Sequence, residues 1–278
     1  MHQPAQLEVL FTPAEFSALT PTHLQETVCV VFDVLRATTS MITALAHGAA
    51  ELHPVDTIEE ALDLRQRDPH ILLGGERHGL RITAAITGSV DFDFGNSPAE
   101  YTSPTVRGRT LALTTTNGTR ALRATRGARQ TFVASFLNLS CTADALRALQ
   151  PPKLLIVGAG TYEEAALEDT LAAGALCDIL WDLYPPDQIA DSATIARLLY
   201  TRHARNLPAA LAQSRNGRRL LLNPHLHDDV AFAARRNRFP ILACLEPDAV
   251  IRPAISRKIL WSTPHSGDTF PSNQNSDI

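Results

Sequence analysis

The sequence predicts an α/β fold of mainly parallel sheets flanked by helices, arranged as two unlike α/β lobes. Continuous β-branched and apolar runs, such as TVCVVFDV (Thr27 to Val34) and KLLIVGAG (Lys153 to Gly160), have the composition of strands buried on both faces. Stretches of helical periodicity alternate with them. Residues able to do chemistry collect just after the runs, where open parallel sheets bind ligands.

In chain order, TVCVVFDV is the first such strand. A helix is expected from Thr38 to Gly48, with Met41, Ile42, Leu45 and Ala49 on one face and Gly48 placed to end it. A short strand AELHPV follows, then a helix in TIEEALDLRQR, where Thr57 and Glu60 have capping-box spacing and Ile58, Ala61 and Leu62 form the buried stripe. HILLGG reads as the next strand. The rhythm returns with RTLALTTT, a short helix from Gly118, QTFVAS, a helix over Leu139 to Leu149, KLLIVGAG, and a long helix from about Glu163 to Trp181. Between the two series, Gly74 to Pro104 has no clear period, which suits a boundary or a functional loop. Beyond Asp191 the pattern is helical. The expected division is therefore a first lobe over residues 1–100, a second over 101–253 with a helical C-terminal part, and a polar tail over 254–278.

Composition excludes several classes. At 278 residues, 45% hydrophobic and 19% charged, the chain is an ordinary globular protein. No apolar stretch reaches the ~20 residues of a membrane span, and MHQPAQLEVLF lacks the features of a signal peptide, so a cytoplasmic location is expected. Cys29, Cys141, Cys177 and Cys244 lie far apart and read as small buried hydrophobes. A net charge of -4 and a pI near 6.2 argue against a nucleic-acid surface, so an anionic ligand must be met by local arginines.

The strand-end positions supply candidates. Asp33 and Arg36 follow the first strand, Glu76 and Arg77 follow HILLGG, and Thr114 to Arg120 follow RTLAL. A strand leading through threonines and Asn-Gly into a helix offers hydroxyls, amides and a helix N-terminus to an anion, though such residues also occur for backbone reasons alone. Asp33 suits a structural role, as a helix cap or an ion-pair partner for Arg36, as well as it suits a functional one, and Glu76 beside Arg77 has the same two readings. On the long helix, Glu163 and Glu164 are explained by the dipole of its first turn, whereas Glu168 and Asp169 lie further along, where facing a metal is an alternative. NPHLHDD, with His225, His227, Asp228 and Asp229, reads as a solvated loop more readily than as a transition-metal site. Carboxylates without nearby histidine or cysteine fit magnesium better than zinc.

Standard phosphate motifs are missing: there is no Walker loop, VGAGTYEEA lacks the third glycine of a dinucleotide fingerprint, and Leu35 stands where an aspartyl-phosphate hydrolase carries its second aspartate. The Arg-His-Gly triplet at Arg77 follows the wrong strand for a histidine phosphatase.

Taken together, FDVLRATTSMITALAHGA, GGER, FDFGNSPAEYT, LTTTNGTRAL, ASFLN and LEDTLAAGAL resemble the ComB-type 2-phosphosulfolactate phosphatases, in order and spacing, over roughly Val28 to Phe239. The chain departs from that pattern at VGAG, at ITGSVDFDFGNSP and beyond Pro253. The resemblance implies a magnesium-dependent phosphohydrolase that forms 3-sulfolactate from a small anionic phosphorylated substrate. It implies Asp33, Arg36 and Asn117 as catalytic residues and Asp33, Glu76 and Asp169 as ligands of Mg2+. The substrate would lie against Arg36, Arg77, Asn96, Thr116, Asn117, Gly118, Thr119 and Arg120. A phosphatase for another small phosphorylated hydroxyacid and a non-catalytic anion-binding protein are the alternatives. No nucleic-acid or membrane partner is expected, and a homodimer is the prior for a soluble chain.

Overall fold

A computed structural model describes residues 6–254. The expected polar tail, apart from Ala254, lies outside the described residues. Ten strands form one sheet: β1 (Leu7–Leu10), β2 (Val28–Phe32), β3 (Glu51–Val55), β4 (Leu72–Arg77), β5 (Leu80–Arg81), β6 (Thr110–Thr114), β7 (Gln130–Ala134), β8 (Leu154–Gly158), β9 (Ala243–Leu245) and β10 (Ile251–Pro253). Their order is β1-β8-β2-β7-β9-β10-β3-β6-β4-β5. The pairs β1/β8, β8/β2, β2/β7, β3/β6 and β6/β4 are parallel. Antiparallel pairing joins β7 to β9, β9 to β10 and β10 to β3, and β4 to β5 at one edge. The fold is thus α/β with a mostly parallel sheet, and the short β9–β10 hairpin bridges its two parallel halves. Strands from both sides of residue 100 interleave in each half, so the expected boundary there does not coincide with a break in the sheet.

Strand alternation explains the packing. Val28, Val30 and Phe32 point into a core shared with the helices Leu139–Leu149, Leu167–Leu180 and Asp191–His203. Cys29 and Val31 point into a second core with Met41, Ile42 and Leu45 of the helix Ala37–Ala46. A third cluster, Ala61, Ile71, Leu73, Ile82, Phe92 and Ala112, covers the edge that includes β4. Cys29, Cys177 and Cys244 are buried, and burial pushes each thiol up to about 12, so these three are the inert hydrophobes the sequence suggests.

Three local departures have physical causes. The long helix starts at Leu167, because Tyr162 and Glu163 take left-handed backbone (φ 54 and 66) in a turn closed by Thr161 and Glu164. Glu168 and Asp169 are therefore in its first turn, where the helix dipole favours carboxylates, and Glu163 and Glu164 lie outside it. In the helix Ile58–Arg67, Thr57 Oγ1 accepts from the Glu60 N–H at 3.1 Å as expected, but the Glu60 carboxylate reaches the Asp56 N–H. Finally, His78 and Gly79 (φ 55 and 80) form the two-residue turn between β4 and β5, a geometry that right-twisted hairpins favour, which accounts for the Arg-His-Gly triplet.

Candidate active site

The carboxyl ends of β2, β4 and β6 open on one cavity of about 160 Å³, lined among others by Asp33, Arg36, Glu76, Arg77, Asn96 and Asn117. That volume is below the ~300–1,000 Å³ of drug-sized ligand sites, and suits a compact metabolite rather than a nucleotide.

Asp33 ends β2. Its Oδ1 accepts the Ala37 N–H at 3.1 Å, its backbone carbonyl accepts from Thr38, and its Oδ2 accepts no hydrogen bond among the described residues. Gly118 makes this placement possible: a Cβ there would stand 2.7 Å from Asp33 Oδ2 and 2.6 Å from Ala37 Cβ. Burial raises the Asp33 carboxyl to about 7; the Ala37 amide and Arg36 oppose the rise, while the charges of Glu168 and Glu76 add to it.

Glu76 binds the two halves of the pocket together. Its Oε1 accepts the N–H (2.9 Å) and hydroxyl (2.7 Å) of Thr116, and its Oε2 accepts the Gly79 N–H at 2.6 Å. Asp169 acts similarly on the other flank, taking the Val34 N–H at 2.8 Å and the Gly160 N–H at 3.1 Å. Burial, with Asp33 and Glu168 nearby, holds its carboxyl well above the usual range. Glu168 is 1% exposed; Asn216 Nδ2 donates to its Oε1 at 2.7 Å, and its Oε2 accepts no hydrogen bond among the described residues. Burial raises this carboxyl also.

Arg36 is held in place by two hydrogen bonds. Its Nη1 donates to Asp229 Oδ2 at 2.9 Å and its Nη2 to the Gly79 carbonyl at 2.7 Å, while Ser97 Oγ donates to Asp229 Oδ1 at 2.6 Å. Both side chains of the ion pair are 4% exposed. A guanidinium has five N–H donors, so three of those on Arg36 remain for a ligand. Arg77 donates to the Glu76 carbonyl at 2.8 Å and to Thr114 Oγ1 at 3.0 Å and has no carboxylate partner among the described residues.

The expected site residues thus divide. Asp33, Arg36, Glu76, Arg77, Asn96, Thr116 and Asn117 share the cavity. Gly118 serves by close approach, and Thr119 is an internal fastener whose hydroxyl donates to the Thr115 carbonyl at 2.9 Å. Asp169 is adjacent in charge but spends both oxygens on backbone amides. Arg120 is not in the cavity lining; it is solvent-exposed and pairs with Glu163 at 2.7 Å. Three polar residues of the C-terminal helical segment enter unforeseen: Asp229 on Arg36, and Asn216 and Arg219 in the lining. His225 and His227 are exposed, away from the lining.

The donor set bears on a cation. Among the described residues, no three His, Cys, Asp or Glu side chains are gathered as a ready metal cage. Magnesium does not require one, since it keeps several waters and uses one or two carboxylates with substrate oxygens. Asp33 Oδ2 and Glu168 Oε2 accept no hydrogen bond among the described residues, and free carboxylate oxygens are the ligands a hard cation prefers. The residues fit a hard divalent cation.

A family model described as 2-phosphosulpholactate phosphatase matches residues 15–248. The chain is 37% identical over 226 residues to a probable 2-phosphosulfolactate phosphatase of Symbiobacterium thermophilum, covering 81% of this chain and 93% of that one. It is 40% identical over 172 residues to the same-named protein of Clostridium acetobutylicum (62% of this chain, 70% of that one). For the same-named Pseudothermotoga lettingae protein the identity is 35% over 249 residues, covering 89% and 99%.

Proposed function

Because the chain belongs to the 2-phosphosulpholactate phosphatase family, we propose that it hydrolyses 2-phospho-3-sulfolactate to 3-sulfolactate and inorganic phosphate, with Mg2+ as cofactor. One observation carries this reading. The buried Asp33 carboxylate, with one oxygen unused, faces the same small cavity as two guanidiniums, Arg77 and Arg219, that have no carboxylate partner among the described residues, and the charge of Glu168 acts on Asp33 from beside it. A small ester bearing three anionic groups, met by arginines and a cation, satisfies both sets of charges.

When bound, magnesium neutralises charge on the phosphoryl oxygens; Asp33 and Glu168 would hold it. The remaining work falls to the chain. Arg36 and Arg77 orient the phosphoryl group, and Asn117 and Asn96 supply neutral donors at its edge. Asp33, placed at the end of β2 in the cavity, accepts the proton of a water attacking phosphorus in line. Leu35, in place of the second aspartate of aspartyl-phosphate hydrolases, favours this water route over direct attack by Asp33. The same reading takes the enzyme to be cytoplasmic and a homodimer; light scattering on the purified chain tests the latter.

Phosphate release from a panel of phosphorylated hydroxyacids, with magnesium and with chelator, tests the function. Magnesium-dependent release that favours phosphosulfolactate is expected, and Asp33→Asn should lower it by about 10² to 10⁴. A flat substrate profile would point to another hydroxyacid phosphatase. Tight anion binding without turnover would point to a non-catalytic protein.

A further inference from the structure

We infer that Arg219, on the helix Arg215–Leu221, recognises the sulfonate of the substrate, an inference that rests on the phosphatase reading above. Arg219 is exposed and lines the same cavity as the buried Asp33 and Glu76. Its one hydrogen bond among the described residues is to a neutral group, the Tyr162 hydroxyl, at 3.2 Å. Its helix neighbours differ. Arg215 is paired with Glu164, and Arg218 with the Gln213 carbonyl. Arg219 alone of the three brings an uncompensated charge to the cavity.

The surroundings are shaped to admit it. Gly79 turns at φ +80, and any side chain on it would run into the Arg219 guanidinium. The same residue offers its carbonyl to Arg36 and its N–H to Glu76, so one turn aligns the deep cation, the deep carboxylate and the outer cation. Tyr162, 58% exposed and in the same lining, accepts from the guanidinium and so braces it.

Substrate chemistry then fixes the assignment. The phosphoryl group must sit with the reacting groups at Asp33. The carboxylate is bonded to the ester carbon and stays close to the phosphate, within reach of Arg77 beside Glu76. The sulfonate is carried one methylene further out, and Arg219 is the guanidinium that meets it there. A planar fork against a three-oxygen anion allows a bidentate contact.

The test compares phosphosulfolactate with 2-phospholactate, which keeps the ester and carboxylate but lacks the sulfonate, in the unmutated chain, Arg219→Gln and Tyr162→Phe. Loss of a hydrogen bond to a charged group costs on the order of 10- to 100-fold. Arg219→Gln should therefore lower kcat/KM for phosphosulfolactate by that factor, mainly through KM, and leave 2-phospholactate within about twofold. Tyr162→Phe should show a smaller loss of the same selectivity. Turnover of 2-phospholactate also reports that the variant is folded. Preference for the sulfonate that survives in Arg219→Gln, or equal losses on both substrates, would overturn the assignment alone. No preference in the unmutated chain would overturn the phosphosulfolactate reading and this inference with it.

Discussion

Replacing Asp229 with alanine leaves the Arg36 guanidinium buried without its counter-ion. The pair is 2.9 Å apart with both side chains 4% exposed, so water cannot replace the carboxylate unless the cleft opens. Arg36 would keep only the neutral Gly79 carbonyl, and Ser97 would lose its acceptor. Burial raises the Asp229 carboxyl although Ser97 and Arg36 pull it down, which means that the pair is costly to keep dry even when complete. Breaking a buried pair from one side typically costs about 3–5 kcal/mol, against a total stability of about 5–15 kcal/mol. At about 2–4 °C per kcal/mol for a chain of this size, Asp229→Ala should lower Tm by on the order of 10 °C. Urea denaturation followed by circular dichroism would read the same loss as a lower midpoint at unchanged slope. Combining Arg36→Met with Asp229→Leu should cost less than the two single changes added together, because an apolar pair leaves no stranded charge. Both variants should lose turnover, since Arg36 lines the cavity. A loss below about 1 kcal/mol for Asp229→Ala would refute the reasoning, because only solvent-screened pairs behave that way.

Three further outcomes are expected. Without divalent cation, the folded state holds a proton on Asp33 up to about pH 7, whereas the ordinary carboxyl value is 3.8; the stability this group contributes is full below about pH 4 and lost as pH rises through 7. Glu168 and Asp169 shift the same way, so Tm should fall between pH 5 and 8 with a slope that Asp33→Asn flattens; a rise would contradict it. Gly118→Ala should push Asp33 and Ala37 apart, costing about 1–3 kcal/mol and a large part of kcat, and normal kinetics would show that the close approach is dispensable. Arg120→Gln should leave kcat/KM within about twofold and stability within about 1 kcal/mol, since its partner Glu163 and it are 59% and 43% exposed; a tenfold kinetic loss would return it to the site.

Asp33, Glu76 and Asn117 were legible because they obey a local rule: each stands within a few residues of an apolar strand, and parallel strands end together. Arg120 obeys the same rule and still faces away. At about 100° per residue it lies roughly 200° round the helix from Gly118, the residue that touches Asp33. Glu168 was visible as an acidic residue, but its place in a first turn depended on the left-handed turn at Tyr162 and Glu163, which the sequence does not advertise. Asp229 was hidden for a different reason. Its meaning depends on a partner 193 residues away, and an Asp pair after a histidine looks like any polar loop. The strands β9 and β10 escaped notice because three residues cannot display an alternation.

The bridge made by β9 and β10 has a consequence for biosynthesis. A nascent chain releases β2 and β3 from the ribosome some two hundred residues before the hairpin that joins their half-sheets, as judged from the Ile251–Leu52 pairing. Until then the two parallel halves have no strand between them, and the Asp33 carboxylate waits in an unfinished cleft. Such long-range closure belongs to the slow end of folding rates. Chaperone demand should accordingly peak late in translation, and a premature stop codon just before Ala243 should be as damaging as an early one.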